Sequence, residues 1–223
     1  MILLKRFELR TKGRQAFTLL ELMLVVFIVA VLTASILPMT ARPRVRSSGI
    51  VCINNLKEVG LAFRTWSEDN GKVYPMHFRT NGFDGEALAN SRGMCGYFQI
   101  MSNELKTPKV LVCPGDKKRR VAADFRTNFN SGTVSYFVAL DSDETKPQTL
   151  LAGDRNLTNG LAAKNGVLEI TTNSLPGWTM DIHQFSGNVV LADGSVQKVS
   201  VSGVKRLIFK TGLATNRIVF PPQ

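Results

Sequence analysis

The sequence predicts an α+β fold in which a long N-terminal helix lies across an antiparallel β-sheet. Three features support this. An apolar run occupies residues 17–37, an amphipathic helical pattern follows within residues 47–69, and short strand-like segments bounded by turn residues fill the C-terminal half. Helical and strand-like segments that are segregated along the chain are typical of the α+β class.

The apolar run FTLLELMLVVFIVAVLTASIL contains one charged residue, Glu21. At about 1.5 Å per helical residue, it reaches roughly the thickness of the hydrocarbon core of a bilayer. We therefore expect residues 17–38 to form a transmembrane helix, kinked at Pro38. Residues 1–16 form a leader with five basic residues and one acid. Because basic residues stay on the cytoplasmic side, the N-terminus should be cytoplasmic and the C-terminal domain outside.

Glu21 is the unusual residue of the run, because a charge within the hydrocarbon costs at least about 2.5 kcal/mol and usually has a partner. Cleavage between Ala16 and Phe17 would place a free α-amino group one helical turn away from Glu21. In a lateral assembly of such helices, the carboxylate of one subunit could then neutralise the amine of its neighbour. An ordinary single-pass anchor with an incidental glutamate is the alternative.

These residues resemble the class III signal of type IV prepilins and type II secretion pseudopilins: a short basic leader, then FTLLEL, then an apolar run ending at Pro38. The resemblance implies cleavage by prepilin peptidase between Ala16 and Phe17, N-methylation of Phe17, and a role for Glu21 in subunit assembly. Ala16 departs from the glycine that usually precedes the cut in this family.

The same resemblance implies a pilin-like fold and a location in the inner membrane with an extracytoplasmic C-terminal domain. Its implied partners are prepilin peptidase, other pilin-like subunits, an inner-membrane assembly platform and the lipid bilayer.

The second half of the long helix is predicted over residues 39–70, where one apolar stripe recurs at a spacing of three to four and AsnGly at 70–71 ends the helix. The stripe consists of Ile53, Leu56, Val59, Gly60, Phe63 and Trp66. Residues 71–223 should then form the extracytoplasmic α+β globular domain.

Within that domain, residues 76–101 are predicted to be a long irregular loop with at most one short helix, near Gly85 to Asn90. Short strands are predicted at 110–113 and within 133–140, 148–154 and 166–171. A hairpin with a type I′ turn is predicted around Asp193 and Gly194. Ser202 is expected to cap a helix over 204–210, and residues 216–223 could add an edge strand.

Three further segments resemble a branch of prepilin-like proteins abundant in Planctomycetes and Verrucomicrobia. They are CINNLKEVGLAFRTWSEDNGKVYP, CPGD at 113–116, and an H-x9-DG motif formed by His183, Asp193 and Gly194. Because Cys52 and Cys113 fall on motif positions, this resemblance favours a Cys52–Cys113 disulfide. Pairing of Cys95 with Cys113 and reduced thiols remain open as alternatives.

No zinc site is expected from ligand spacing, since the chain has no CxxC pair and its two histidines, His77 and His183, are far apart in sequence. Asp154, His183 and Asp193 could together hold a divalent cation. We instead expect Asp193 to be a turn residue and His183 to hydrogen-bond a loop, so that the H-x9-DG residues are structural. The acidic loop at 141–145 could bind calcium but lacks the EF-hand pattern.

No phosphate loop, nucleophile elbow or HExxH motif is present, so we expect neither a cofactor nor an enzymatic activity. The formal net charge is +11, of which the leader carries four, leaving the cleaved chain near +7. Its basic residues form scattered clusters, so we do not expect a nucleic-acid partner.

The function that these features favour is a structural subunit of a pseudopilus-type filament in a type II secretion-like system. A minor pilin of a type IV pilus or DNA-uptake machine, with a binding role, is the alternative. A membrane-tethered metal-dependent enzyme is a third hypothesis.

Overall fold

The computed structural model describes residues 17–36, 43–80, 83–85, 93–164 and 166–221. The predicted leader with Ala16 and the predicted kink at Pro38 lie outside the described residues. The chain divides into two compact units, residues 1–44 and residues 45–223.

The first unit contains helix α1, Leu19–Ile36. A capping box begins the helix: the Glu21 backbone N–H donates to Thr18 Oγ1 at 3.3 Å, and the Thr18 backbone N–H donates to Glu21 Oε2 at 3.0 Å. Every side chain of residues 17–34 is exposed. Within the described ranges, no helix combines the length and the apolar character needed to cross a membrane.

Helix α2, Pro43–Asp69, supplies the amphipathic face of the second unit. It ends where Asn70 Nδ2 donates to the Trp66 carbonyl at 2.7 Å and Gly71 takes a positive φ of 75°. Glycine stops a helix at this point because it adopts the left-handed conformation without steric cost. Its buried face comprises Cys52, Leu56, Val59, Gly60, Ala62, Phe63, Trp66 and Ser67.

The segment after α2 contains more regular structure than the predicted irregular loop. It forms strands β1, Arg79–Thr80, and β2, Phe83–Asp84, followed by short helices α3, Cys95–Ile100, and α4, Ser102–Leu105. The sequence did not predict α3 because its apolar segment is too short to show a helical period. The buried residues of α3 are Cys95, Gly96, Tyr97 and Phe98.

The predicted strand at 110–113 is wrong, because a 3₁₀ helix occupies Pro108–Leu111. Thr107 Oγ1 accepts from the Lys109 backbone N–H at the start of this helix, and Pro108 follows with its fixed φ. Val110 and Leu111 are buried from this turn rather than from a strand.

A second short 3₁₀ helix follows at Ser131–Thr133, and the remaining described elements form a six-stranded sheet, a two-stranded ribbon and one α-helix. In chain order they are β3 Tyr136–Ala139, β4 Leu150–Asp154, β5 Leu157–Thr158, β6 Val167–Thr171, β7 Gly177–Trp178, β8 Ser186–Leu191, β9 Val196–Ser200, α5 Val201–Lys210 and β10 Thr215–Val219. The large sheet has the order β6-β10-β3-β4-β8-β9, and every neighbouring pair is antiparallel.

The two faces of the large sheet are covered by different helices. On one face the stripe of α2 packs with residues such as Val138 and Val190. On the other face α5 packs with their sequence neighbours, such as Phe137 and Val189. The central strands β3 and β4 are therefore buried on both faces and read as continuous apolar runs. This arrangement confirms the α+β class and is consistent with a pilin-like fold.

Two predicted details at the C-terminal end are wrong. Strand β10 lies between β6 and β3 rather than at an edge. The hairpin turn is not type I′, because among its residues only Gly194 has a positive φ. Gly194 N–H donates to the Leu191 carbonyl and Leu191 N–H to the Ser195 carbonyl, each at 2.9 Å, which gives a three-residue loop with glycine at the left-handed position.

Helix α5 begins at Val201, three residues earlier than the predicted start at residue 204. Its N-cap is Ser200, whose Oγ accepts from the Gly203 backbone N–H at 3.2 Å, rather than Ser202. Gly212, with φ of 69°, lies just past its end.

Candidate functional site

The first candidate site is the start of α1. Glu21 Oε2 accepts a bond from the Thr18 hydroxyl at 3.0 Å in addition to the Thr18 backbone N–H. Phe17 precedes this pair and is exposed. Thr18, the second residue after the predicted cleavage site, thus caps the first turn of α1 together with Glu21, and the carboxylate lies at the start of the helix.

The second candidate site is a group of four side chains in the core of the globular unit, each from a different segment. One comes from α2, one from the loop after the 3₁₀ helix, one from the end of β4 and one from the loop before β8. One ligand atom of each residue lies within 4.8 Å of the others. We call this set the buried cluster; its members are Cys52, Cys113, Asp154 and His183.

Asp154 is fully buried at the centre of the cluster. Its Oδ1 accepts from the Cys52 thiol at 3.1 Å, while its Oδ2 accepts from the backbone N–H of Asn188 at 2.7 Å and from Asn188 Nδ2 at 2.8 Å. The Tyr136 hydroxyl lies 3.4 Å from Cys52 Sγ. Asn188 therefore fixes the orientation of the carboxylate, and the Cys52 thiol is the contact between α2 and this carboxylate.

His183 closes the cluster from the opposite side. Its Nε2 lies 3.3 Å from Cys113 Sγ and 3.4 Å from Asp154 Oδ2. The two residues that follow it, Gln184 and Phe185, both have a positive φ, 52° and 57°. Such conformations cost side-chain-bearing residues on the order of 1–3 kcal/mol each and cluster at functional sites. The strained turn holds the imidazole against the cluster.

Contacts and burial within the cluster shift the pKa of each of its four members. The neighbouring Cys52 side chain lowers the pKa of the Cys113 thiol against the effect of burial, and together with His183 it brings that pKa to about 5. The neighbouring Cys113 side chain, together with burial, raises the pKa of Cys52. Burial raises the pKa of Asp154 to about 6. Burial alone would lower the pKa of His183, but Cys113 and Asp154 raise it on balance.

The structure separates the residues of the predicted H-x9-DG motif. His183 lies in the buried cluster, whereas Asp193 lies in the β8–β9 hairpin, where its Oδ1 accepts from the Ser195 backbone N–H at 2.8 Å. Of the hypothetical metal set, Asp154 and His183 come together and Asp193 does not. Gly194 keeps the positive φ that the turn requires.

The cysteines have different surroundings. Cys52 and Cys113 are neighbours in the buried cluster, and all three cysteines are free thiols in the structure. Cys52 and Cys113 thus lie close to each other as free thiols, and their pairing in a disulfide stays a prediction. Cys95 is buried in helix α3.

The acidic loop at 141–145 spreads its carboxylates among different partners. Asp141 pairs with Arg217 at 2.6 Å, and Asp143 lies 3.6 Å from Lys146. Glu144 accepts from the Ser67 hydroxyl at 2.6 Å. These contacts pin the loop to β10 and to α2.

Sequence reasoning used the two motif cysteines only as disulfide partners and missed them as possible ligands. Their sequence positions gave no metal signal, because consecutive members of the cluster lie 61, 41 and 29 residues apart along the chain. The Thr18 cap was also missed, although Thr-x-x-Glu before an apolar run is a recognisable capping-box pattern.

Comparison with known families bears on the first site. The model for the prokaryotic N-terminal methylation motif matches residues 11–37. The chain carries a type IV prepilin-like signal. This signal is typical of type IV pilin-like and pseudopilin precursors, and it implies processing by prepilin peptidase and assembly with other pilin subunits. Such signals are typical of membrane-anchored pilins. No curated protein and no solved structure matched the chain.

Proposed function

We propose that this chain is a structural subunit of a pseudopilus-type filament in a type II secretion-like system. Prepilin peptidase removes the leader before Phe17, and the mature subunit waits in the inner membrane with a cytoplasmic N-terminus and an extracytoplasmic globular unit. An inner-membrane assembly platform then extracts it into the filament. The observation that carries the proposal is the methylation motif over residues 11–37, with Glu21 four residues after Phe17.

The surface of α1 supports an assembly role. In the single chain its large apolar side chains are exposed around the whole helix, and Glu21 is its one charged residue. A helix that is apolar all round is stable when lipid or neighbouring helices cover it. Storage in a bilayer followed by lateral packing with other subunits provides both kinds of cover.

The cap at Thr18 is compatible with a second partner for Glu21. The hydrogen bonds that Thr18 donates go to Oε2, and a carboxylate has about four acceptor positions. The α-amino group of an adjacent mature subunit can therefore add to the carboxylate without displacing the cap. We propose that Glu21 both starts its own helix and neutralises the amine of a neighbour.

We also propose that the chain belongs to the branch of prepilin-like proteins with the H-x9-DG motif. Motif residues that are distant in sequence interact in the fold, which supports this assignment. Cys52 and Cys113 meet His183 in the buried cluster. Tyr74 donates from its hydroxyl to the Ala192 carbonyl, next to the motif hairpin, at 2.8 Å.

Intact-mass analysis and N-terminal sequencing of protein from producing cells test the processing step. We expect a mature chain that begins at Phe17 and carries one methyl group on its amine. A mature chain beginning at any other residue would refute this cleavage site.

Two variants at the cap separate the charge of Glu21 from its capping role. Glu21→Gln keeps a side chain that can complete the capping box but removes the charge. We expect it to be produced and processed, yet to lose filament formation and secretion. Thr18→Ala is the matched control: it weakens the cap by about 1 kcal/mol but keeps the charge, so it should still assemble. Wild-type assembly by Glu21→Gln would show that charge neutralisation is not needed.

A further inference from the structure

We propose that the buried cluster is a structural zinc site that binds one Zn²⁺ ion within the globular unit. This inference goes beyond the filament role, since it concerns how the globular unit is held together and not how subunits assemble.

The geometry of the cluster is close to that of a tetrahedral site. With zinc bonds of about 2.3 Å to sulfur and about 2.0–2.2 Å to nitrogen or oxygen, neighbouring ligand atoms lie about 3.3–3.8 Å apart. Two contacts already meet this range: Cys113 Sγ to His183 Nε2 at 3.3 Å, and His183 Nε2 to Asp154 Oδ2 at 3.4 Å. Cys52 Sγ lies 3.1 Å from the other carboxylate oxygen, Oδ1, slightly closer than the range. Since no pair exceeds 4.8 Å, the widest needs to contract by about 1 Å.

The donor set selects the metal. Two thiols, an imidazole and a carboxylate are the ligand types that zinc binds, whereas calcium and magnesium prefer sites made of oxygen. Four protein ligands fill a tetrahedral zinc ion and leave no position for substrate or water, which is the arrangement of a structural site. Cys52, Cys113 and Asp154 are each fully buried, as such a closed site requires.

Residues around the cluster hold the ligands in place. Asn188 donates two hydrogen bonds to Oδ2 of Asp154, so the orientation of that carboxylate is fixed while Oδ1 faces the Cys52 thiol. Partners of this kind orient metal ligands, and their loss typically weakens metal binding by about 10–100-fold. The cluster thus has the supporting hydrogen bonds that metal ligands usually have.

A catalytic thiol explains the same geometry less well. In a cysteine–histidine–aspartate triad the acid holds one ring nitrogen while the other nitrogen faces the thiol. Here the carboxylate and Cys113 both approach Nε2 of His183. Groups that converge on a common point from several sides are arranged as ligands rather than as a relay.

A Cys52–Cys113 disulfide also accounts for only part of the cluster. It would use two of the four groups and leave Asp154 and His183 without a role in the bond. Zinc uses all four. It would join α2 to the end of β4 and to the loops that precede β3 and β8, and so tie the helix to the sheet.

Metal analysis of the full-length chain in detergent tests the proposal. Wild type and four variants are purified with reductant, incubated with zinc chloride and freed of excess metal. The control is Cys95→Ser, which removes a buried free cysteine outside the cluster. We expect one zinc per chain in the wild type and in this control. We expect none in Cys113→Ser or His183→Ala, and binding about 10–100-fold weaker in Asn188→Ala.

Two further measurements apply even if a cluster variant fails to fold. A chelator should lower the melting temperature of the wild type and of Cys95→Ser. After chelation, all three cysteines of protein isolated without reductant should react with a thiol reagent in denaturant. The proposal is overturned if the wild type binds no zinc, if Cys113→Ser retains it, if the chelator leaves the melt unchanged, or if one thiol reacts because the other two form a disulfide.

Discussion

Gly60 allows helix α2 to approach strand β8 closely, and its replacement by alanine tests this packing. A Cβ at position 60 would lie 2.6 Å from Val190 Cγ2, whereas carbon atoms in good contact lie about 3.5–4.0 Å apart. Helix and strand would therefore have to separate by about 1 Å, or Val190 would have to leave its position. Overpacking of this kind costs about 1–3 kcal/mol.

The same helix contains a matched control. Gly49 is also in α2, and a Cβ there would meet nothing within 4 Å. Replacing a helical glycine by alanine stabilises the helix by about 1 kcal/mol through propensity. Gly49→Ala should show that gain alone, while Gly60→Ala shows the gain minus the overpacking. The difference between the two variants isolates the contact and should be about 1–3 kcal/mol.

Urea denaturation of the full-length chain in detergent measures both variants. Trp66 and Trp178 are buried, so their fluorescence reports unfolding of the globular unit. For a unit of this size the expected difference corresponds to melting temperatures about 2–12 °C apart. Equal stabilities for Gly60→Ala and Gly49→Ala would refute the close approach of α2 to the sheet.

Two further predictions concern the globular unit. Asp116 accepts two bonds from the Arg155 guanidinium, at 2.6 and 2.8 Å, and both side chains are buried. Asp116→Asn should therefore lower the free energy of unfolding by about 3–5 kcal/mol, whereas Asp181→Asn, which breaks an exposed ion pair, should cost less than about 1 kcal/mol. Arg155 lowers the pKa of Asp116 although burial opposes this, so the stabilisation is present at neutral pH and is lost as the pH falls below about 4. In urea titrations from pH 7 to acid, the free energy of unfolding of Asp116→Asn should therefore fall less with pH than that of the wild type. Equal losses of stability in Asp116→Asn and Asp181→Asn would contradict the buried pair. Gly194 has φ of 84°, and a Cβ there would lie 3.3 Å from Cδ of Arg64, so Gly194→Val should cost about 1–3 kcal/mol in the same titration; wild-type stability would contradict the left-handed turn.

The sequence predicted the features that depend on near neighbours. Helix α1, the buried stripe of α2, strands β3, β4 and β6, and the hairpin before α5 all follow from apolar spacing and turn residues over a few positions. The spacing of Phe17 and Glu21 is likewise local, and the methylation motif includes it. A pattern of this kind can be predicted from the sequence alone because its residues lie within about one helical turn of each other.

Local competition decided the elements that were predicted wrongly. Residues 110–113 are apolar enough for a strand, but Thr107 and Pro108 start a 3₁₀ helix just before them. The hairpin sequence AspGly permits two turn types, and pairing of Val190 with Val196 selects the longer loop. In both cases the apolar residues were predicted correctly, but the backbone conformation depended on contacts made by neighbouring residues.

Only the tertiary structure brought the buried cluster together. Its four side chains come from a helix, a strand end and two loops, and they meet because β4 pairs with β8 while α2 crosses the same face. The position of β10 between β6 and β3 is likewise a matter of strand order, which is a property of the tertiary structure. Local spacing specifies which residues are buried. Which strands pair with one another depends on how both faces of the sheet pack against α2 and α5, and the free energy of that packing comes from contacts throughout the unit.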